Sequence, residues 1–295
     1  MQAFARLGKL LRTYRARRRA DDLAAPYVSR RNHVVIGGCG RSGTTLARVI
    51  LDSHPHICCG PESGVFLPEP LDDGKLGEKF KFDSDVVRQA YLMSGSRAEF
   101  VDRFAEICCR ASGKQRWAEK TPRNVLQLKY IFARFPEARF MHLLRDGRDV
   151  ACSLRTHPRH RVVNGELVPV KTWKPMEECA ARWRDSLLAA RPFWNDSRFY
   201  TVRYEALVSD PRTTIGGLLE FLEEPWDDAV LAHHQTESEF RDATTFPQNP
   251  EALRPIESTA LGRWERDMTA ADRETFKRVA GDLLIECGYA ADNRW

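Results

Sequence analysis

Residues 33–55, HVVIGGCGRSGTTLARVILDSHP, constrain the fold more than any other stretch. An apolar strand runs into a glycine-rich turn and out into an amphipathic helix. A helix N-terminus presents unpaired N–H groups and a positive dipole end, and Gly37, Gly38, Gly40 and Gly43 let the backbone wrap closely around an anion. From Gly38 the spacing fits the phosphate loop G-x-x-x-x-G-K-[ST], except that Thr44 stands at the lysine position. In an ATPase or kinase that lysine reaches the β- and γ-phosphates, so a loop with Arg41 and two threonines points to a different anion. The competing reading is a glycine-rich turn that holds no ligand.

A chain of 295 residues can bury the core of one large α/β domain, and 42% hydrophobic with 29% charged residues gives no support for disorder or a fibre. The formal charge of +5 suits an anionic cofactor or substrate without requiring one. Eight cysteines include the neighbours Cys58/Cys59 and Cys108/Cys109, and none has C-x-x-C spacing, so they read as buried free thiols rather than zinc ligands. With no apolar run of about 18 residues and no apolar signal core, the expected compartment is the reducing cytoplasm.

Residues 1–31 form a separate basic amphipathic segment, ahead of a domain at 32–295. Phe4, Leu7, Leu10, Leu11 and Tyr14 recur at helical spacing among Arg6, Lys9, Arg12, Arg15, Arg17, Arg18 and Arg19. Such a helix packs on its own domain with its charged face solvated, or lays residues 1–19 on an anionic membrane surface or acidic partner.

Short apolar strands alternating with helical segments indicate a mostly parallel sheet flanked by helices. Strands are expected at 33–38, 57–60, 116–118, 139–144 and 199–203. Helices are expected at 84–94, 97–111, 124–135, 175–194, 211–223, 226–235 and 269–287, making the C-terminal portion helical. Val162–Val168, with Asn164–Gly165 at its centre, carries a hairpin signal. Polar residues collect directly after the strands: Arg41–Thr45, Glu62, Lys120, Arg145–Ser153 and Tyr204. Ligands bind at the carboxyl ends of parallel strands, so these clusters converge on one cleft.

The second strong element, RFMHLLRDGRDVACSL at 139–154, is an apolar strand, a turn and a helix beginning near Asp149. Arg145 at the strand end and Ser153 inside the helix can grip one phosphate together. Taken alone, Arg145, Asp146, Arg148 and Asp149 can equally form a salt-bridged turn.

The paired motifs GRSGTTLARVILDSHP and LLRDGRDVACSL resemble the 5′-phosphosulfate and 3′-phosphate sites of sulfotransferases that use 3′-phosphoadenosine 5′-phosphosulfate (PAPS). The resemblance continues through RYEALVSDPRTTIGGLLEFLEEP and ALGRWERDM, and GGCGRSGTTLARVILDSHPHICCGPES is most similar to the tyrosylprotein sulfotransferases. It implies a P-loop-like nucleotide-binding fold, PAPS as donor, its desulfated product PAP, and no metal. It places Arg41, Ser42, Gly43, Thr44 and Thr45 around the 5′-phosphosulfate, Arg145 and Ser153 on the 3′-phosphate, and Tyr204 at the adenine end. Arg254 falls where relatives carry a cofactor-contacting lysine, and Ser258 lies on the loop that closes over the nucleotide. Glu62 matches the general base and Lys120 the lysine that assists the leaving group, with Arg41 also stabilising its charge.

Each residue has a structural alternative: Glu62 as a turn cap, Lys120 paired with Glu119, Tyr204 as core. His54 is a second candidate base, or a structural hydrogen bonder at a helix end. Gly64 replaces an arginine of the tyrosylprotein enzymes' substrate site, and the basic residue expected after the phosphate-gripping serine is His157, with Arg155 nearby. The acceptor hydroxyl is therefore open among peptide tyrosine, carbohydrate, lipid and small metabolite. No nucleic-acid partner is expected, and the oligomeric state is open, a homodimer included. The rival functions are a nucleotide-dependent kinase or NTPase, and a non-catalytic adenosine-phosphate binding protein.

Overall fold

Successive side chains on a strand point to opposite faces, so the unbroken apolar run at the start of the phosphate-loop motif demands a sheet covered on both sides. The computed structural model describes residues 27–157, 159–163, 166–170, 172–238, 240, 250–256 and 261–295. Within them β1 (Val34–Gly38), β2 (Ile57–Cys59), β3 (Arg116–Lys120), β4 (Arg139–Leu144) and β7 (Phe199–Arg203) form one parallel sheet in the order β2-β3-β1-β4-β7. The strands β5 (Arg159–Val163) and β6 (Glu166–Val170) pair antiparallel as the expected hairpin, whose Asn164–Gly165 turn lies outside the described residues.

The helices in chain order are α1 (Thr44–Ser53), α2 (Asp73–Phe80), α3 (Ser84–Met93), α4 (Arg97–Ser112), α5 (Leu128–Arg134), α6 (Gly147–Thr156), α7 (Met176–Ala190), α8 (Tyr204–Ser209), α9 (Pro211–Leu222), α10 (Trp264–Asp267) and α11 (Ala270–Glu286). Their ends follow local chemistry. Ser96 caps α4 by accepting from the Glu99 N–H at 3.1 Å, and Gly113, at φ 66°, closes it. Thr269 and Asp272 form a reciprocal capping box on α11.

On one face of the sheet Val34, Ile36, Met141 and Leu143 pack with Ile50 and Leu51 of α1 and Ile215 and Leu218 of α9. On the other, Val35, Cys58, Trp117 and Phe140 meet Phe100 and Phe104 of α4 and Phe132 of α5. Each such buried side chain contributes about 1.5–3 kcal/mol. A third cluster joins α6, α7 and α11 through Val150, Trp183 and Phe276. From β1 the chain goes out to β2, returns through β3, and crosses to β4 on the other side of β1. The direction reverses around β1, which opens a crevice at its carboxyl end.

Several segments differ from expectation. The strand at 116–118 runs on to Lys120, and 124–135 divides into a 3-10 turn, Pro122–Gln127, followed by α5. The stretch 226–235 is two short 3-10 turns, Asp228–Val230 and His233–Gln235, because the Asp227 carboxylate caps the Ala229 N–H at 2.8 Å and His233 is tied to the Arg254 carbonyl at 3.0 Å. Helix α2 has no counterpart in the sequence reading; its two glycines hide it, and the Asp72 cap with buried Leu76 and Phe80 hold it in place.

Candidate functional site

A parallel sheet delivers the residues after each strand to one edge, so strand order becomes an order of chemistry. Along that edge stand Glu62 after β2, Lys120 ending β3, Arg41–Thr45 after β1, Arg145 after β4 and Tyr204 after β7. Residues far apart in the chain thus line up from a carboxylate at one side to an aromatic ring at the other.

The loop after β1 turns through Arg41 at φ 75° and Gly43 at φ 93°, with the Ser42 N–H donating to the Cys39 carbonyl at 3.1 Å. Gly43 starts α1 with no side-chain cap and no acidic residue in the first turn, which leaves the helix N-terminus suited to an anion. A Cβ at position 43 would stand 2.4 Å from Tyr204 Cδ2, so the glycine is demanded by its neighbour as well as by its φ. Ser42 Oγ is buried and has no hydrogen-bond partner among the described residues. A buried hydroxyl without a partner at an uncapped helix start fits a bound oxyanion.

Arg145 and Ser153 meet this loop from β4 and α6. Arg145 Nη1 donates to the Arg41 carbonyl at 3.2 Å, its guanidinium lies 4.5 Å from the Tyr204 ring centroid, and Trp183 Nε1 holds its carbonyl at 3.0 Å. Arg41 Nε donates to Ser153 Oγ at 3.1 Å, so Arg41, Arg145, Ser153 and Tyr204 form one group. The salt-bridged turn exists beside it with other work. Arg148 forks onto Asp146, Nη2 to Oδ2 at 2.7 Å, and lies 3.8 Å from the Trp264 ring centroid. Asp149 sits 3.8 Å from Arg145 Nη2 and accepts from the Gly262 and Trp264 N–H groups at 2.9 and 3.0 Å. Burial raises the pKa of its carboxyl. Asp149 thereby ties the C-terminal segment down beside the loop.

At the other side of the crevice Lys120 Nζ donates to Glu62 Oε1 at 2.6 Å, the lysine buried and the carboxylate side chain 45% exposed. Lys120 does not use its neighbour Glu119. That buried carboxylate accepts from Ser63 Oγ at 2.7 Å, the Ser63 N–H at 3.1 Å and Thr121 Oγ1 at 2.6 Å, and from Asn124 Nδ2. Glu119 therefore anchors the loop on which Glu62 stands. Lys79 of α2 reaches the same loop and donates to the Glu62 backbone carbonyl. Sequence reading named Glu119 only as a possible partner of Lys120, not as the anchor of this loop, and it missed Lys79, which carried no signal.

His54 lies elsewhere. It follows α1 and precedes β2, whereas Glu62 follows β2. It is fully buried, with Nε2 2.9 Å from the Pro225 carbonyl and Nδ1 accepting from the His56 N–H at 3.2 Å. Both nitrogens are engaged, which favours its structural reading. His54, His56 and Glu224 bring potential metal-binding atoms within 4.8 Å of one another, but the same bonds occupy His54, and Glu224 pairs with His56 at 3.0 Å and Arg116 at 3.0 Å. Arg155 is clasped by Asp272 at 2.8 and 2.6 Å and ties α6 to α11. Arg254 is described with an exposed side chain, its carbonyl accepting from His233. Ser258 lies outside the described residues, as does the basic segment through residue 26. Among the described residues no helix is long and apolar enough to cross a membrane.

The model of the sulfotransferase family matches residues 33–228, more than half of the chain. Protein-tyrosine sulfotransferase 1 of Danio rerio is 26% identical over 287 residues, covering 92% of this chain and 77% of the relative. The Homo sapiens protein-tyrosine sulfotransferase 1 is 27% identical over 270 residues, covering 87% and 69%. Against the protein-tyrosine sulfotransferase of Drosophila melanogaster, 26% identical over 242 residues, the chain spans 46% of the relative's length. Among solved structures, the sulfotransferase domain from the curacin biosynthetic pathway superposes with a TM-score of 0.63 at 17% identity, covering 86% of this chain and 97% of that one. Mouse sulfotransferase SULT7A1 complexed with PAP gives 0.51 at 16% identity, covering 90% and 91%. Both share the fold.

Proposed function

The chain belongs to the sulfotransferase family, and from that premise we propose that it moves a sulfuryl group in line from PAPS to an acceptor hydroxyl, with Glu62 as general base. The observation that carries this reading is the Lys120–Glu62 pair at 2.6 Å, standing one strand away from an uncapped, glycine-rich helix start. A protein that only binds an adenosine phosphate has no need of a carboxylate and a buried ammonium assembled there.

The donor's 5′ end is assigned to Arg41, Ser42, Gly43, Thr44 and Thr45, whose N–H groups and buried Ser42 hydroxyl suit a phosphosulfate. Its 3′-phosphate is assigned to Arg145 and Ser153, and its adenine end to Tyr204, with Arg254 and Ser258 on the closing segment. Bound there, PAPS supplies an electrophilic sulfuryl group carried on a phosphate leaving group. Glu62 shares Oε1 with Lys120, and its second carboxylate oxygen takes the proton of the attacking hydroxyl. Lys120, Arg41 and the loop N–H groups stabilise the negative charge that grows on the departing phosphate. The protein-tyrosine relatives make a tyrosine peptide the first acceptor to try, followed by carbohydrate, lipid headgroup and small phenolic or alcoholic metabolites.

The test is calorimetric titration with PAP beside ATP plus Mg²⁺, followed by transfer from labelled PAPS to the acceptor panel. Tight binding of PAP with little of ATP, and label on an acceptor, is the expected result. Preference for ATP overturns the reading and returns the loop to nucleotide triphosphate chemistry.

A further inference from the structure

Helix α2 leans on the loop that carries the proposed base. Phe80 fills the space beside Gly60, where a Cβ would stand 2.2 Å from its Cε1. One residue earlier, Lys79 Nζ donates to the Glu62 carbonyl. The helix therefore grips the loop at two points, on either side of Pro61.

We propose that Lys79 is a positioning residue for Glu62. Its ammonium fixes the Glu62 carbonyl so that the carboxylate faces the crevice, and it supplies positive charge beside the base when Lys120 serves the leaving phosphate. This rests on the sulfotransferase reading above. The charged groups around Lys79 are Glu62, Lys120, Glu119 and Arg48. Lys79 is exposed as a residue, but desolvation of its ammonium against the loop, foremost, with Lys120 and Arg48 lowers its pKa, against the opposing pull of Glu62 and Glu119. Glu119 is committed to Ser63 and Thr121, and Arg48 donates to the Cys59 and Phe240 carbonyls at 2.8 Å each, so both have structural duties apart from the base.

The test compares Lys79→Met and Lys79→Arg with wild type and Glu62→Gln, reading kcat, KM, PAP affinity, and amide exchange over residues 60–64. Lys79→Met is expected to lower kcat about 10-fold, the scale of one charge-assisted hydrogen bond, with KM for PAPS and PAP affinity within about twofold. Exchange in the loop quickens in Lys79→Met, and Lys79→Arg restores both kcat and exchange. Unchanged kcat in Lys79→Met, or a lower kcat accompanied by an equal loss of PAP affinity, overturns the proposal. Absence of transfer by the wild type sinks the sulfotransferase reading itself, and full activity in Glu62→Gln removes Glu62 as the base; both outcomes are thereby told apart from failure of the Lys79 role.

Discussion

Replacing Glu62 with Gln separates binding from chemistry at this site. The amide keeps the side chain's shape and an oxygen for Lys120 but removes the negative charge and the ability to take a proton. The pair it alters is close, at 2.6 Å, yet the carboxylate side chain is 45% exposed while that of the lysine is 4% exposed. Solvent at one partner screens the attraction, so the charged pair is worth about 1 kcal/mol net rather than the several expected of a fully buried one. That is the most Lys120 gains for an incoming anion when the carboxylate is neutralised, so PAP affinity in Glu62→Gln stays the same or tightens by at most about fivefold. Turnover falls by about 100-fold to 10,000-fold, the range for a lost general base. Calorimetry with PAP and initial rates with labelled PAPS measure the two quantities on the same preparation. Turnover within about threefold of wild type removes Glu62 from the chemistry. A fall in PAP affinity as large as the fall in rate assigns it to donor binding instead.

Four further variants probe other features of the fold and site. Gly43→Ala places a Cβ 2.4 Å from Tyr204 at φ 93°, and is expected to cost about 2–4 kcal/mol in urea unfolding and to abolish PAP binding by calorimetry. Arg145→Ala is expected to weaken PAP by about 1.5–3 kcal/mol, while Arg145→Lys recovers only part because the planar stack on Tyr204 is lost; titration of both variants checks this. The Arg155 hydrogen bonds hold the Asp272 pKa at about 2, from an ordinary 3.8, so the clasp stabilises the fold above the ordinary value and the contribution is lost as pH falls toward about 2. Asp272→Asn should accordingly cost about 2 kcal/mol at neutral pH, with its thermal-melting gap from wild type closing in acid.

The strands were readable wherever apolar pattern alone decides: Arg139–Leu144 and Phe199–Arg203 have the expected bounds. The expected end of β3 fell two residues short because Glu119 and Lys120 look like surface residues until Ser63 and Glu62 arrive from elsewhere to satisfy them. The same remoteness hid α2, whose sequence DGKLGEKF is a weak helix former stabilised by packing, and with it Lys79. The phosphate-loop motif was legible because its glycines, strand and helix are contiguous. The grouping of Arg41 with Ser153, and the choice of Glu62 over Glu119 as partner for Lys120, were not, since each joins stretches of chain more than fifty residues apart.

The strand order divides the site between separate stretches of the chain. Apart from Arg254 and Ser258 on the closing segment, the residues assigned to the donor hang from β1, β4 and β7, while Glu62 and Lys79 belong to the excursion between β2 and β3 at one edge of the sheet. That excursion, residues 60–115, is one continuous stretch of chain that leaves and rejoins neighbouring strands. The loop of Glu62 is thereby tied to β3 through the Ser63 grip on Glu119, while the strands that carry Arg41, Arg145 and Tyr204 lie outside the excursion. The proposed base and most of the donor residues are thus carried by separate stretches of one chain.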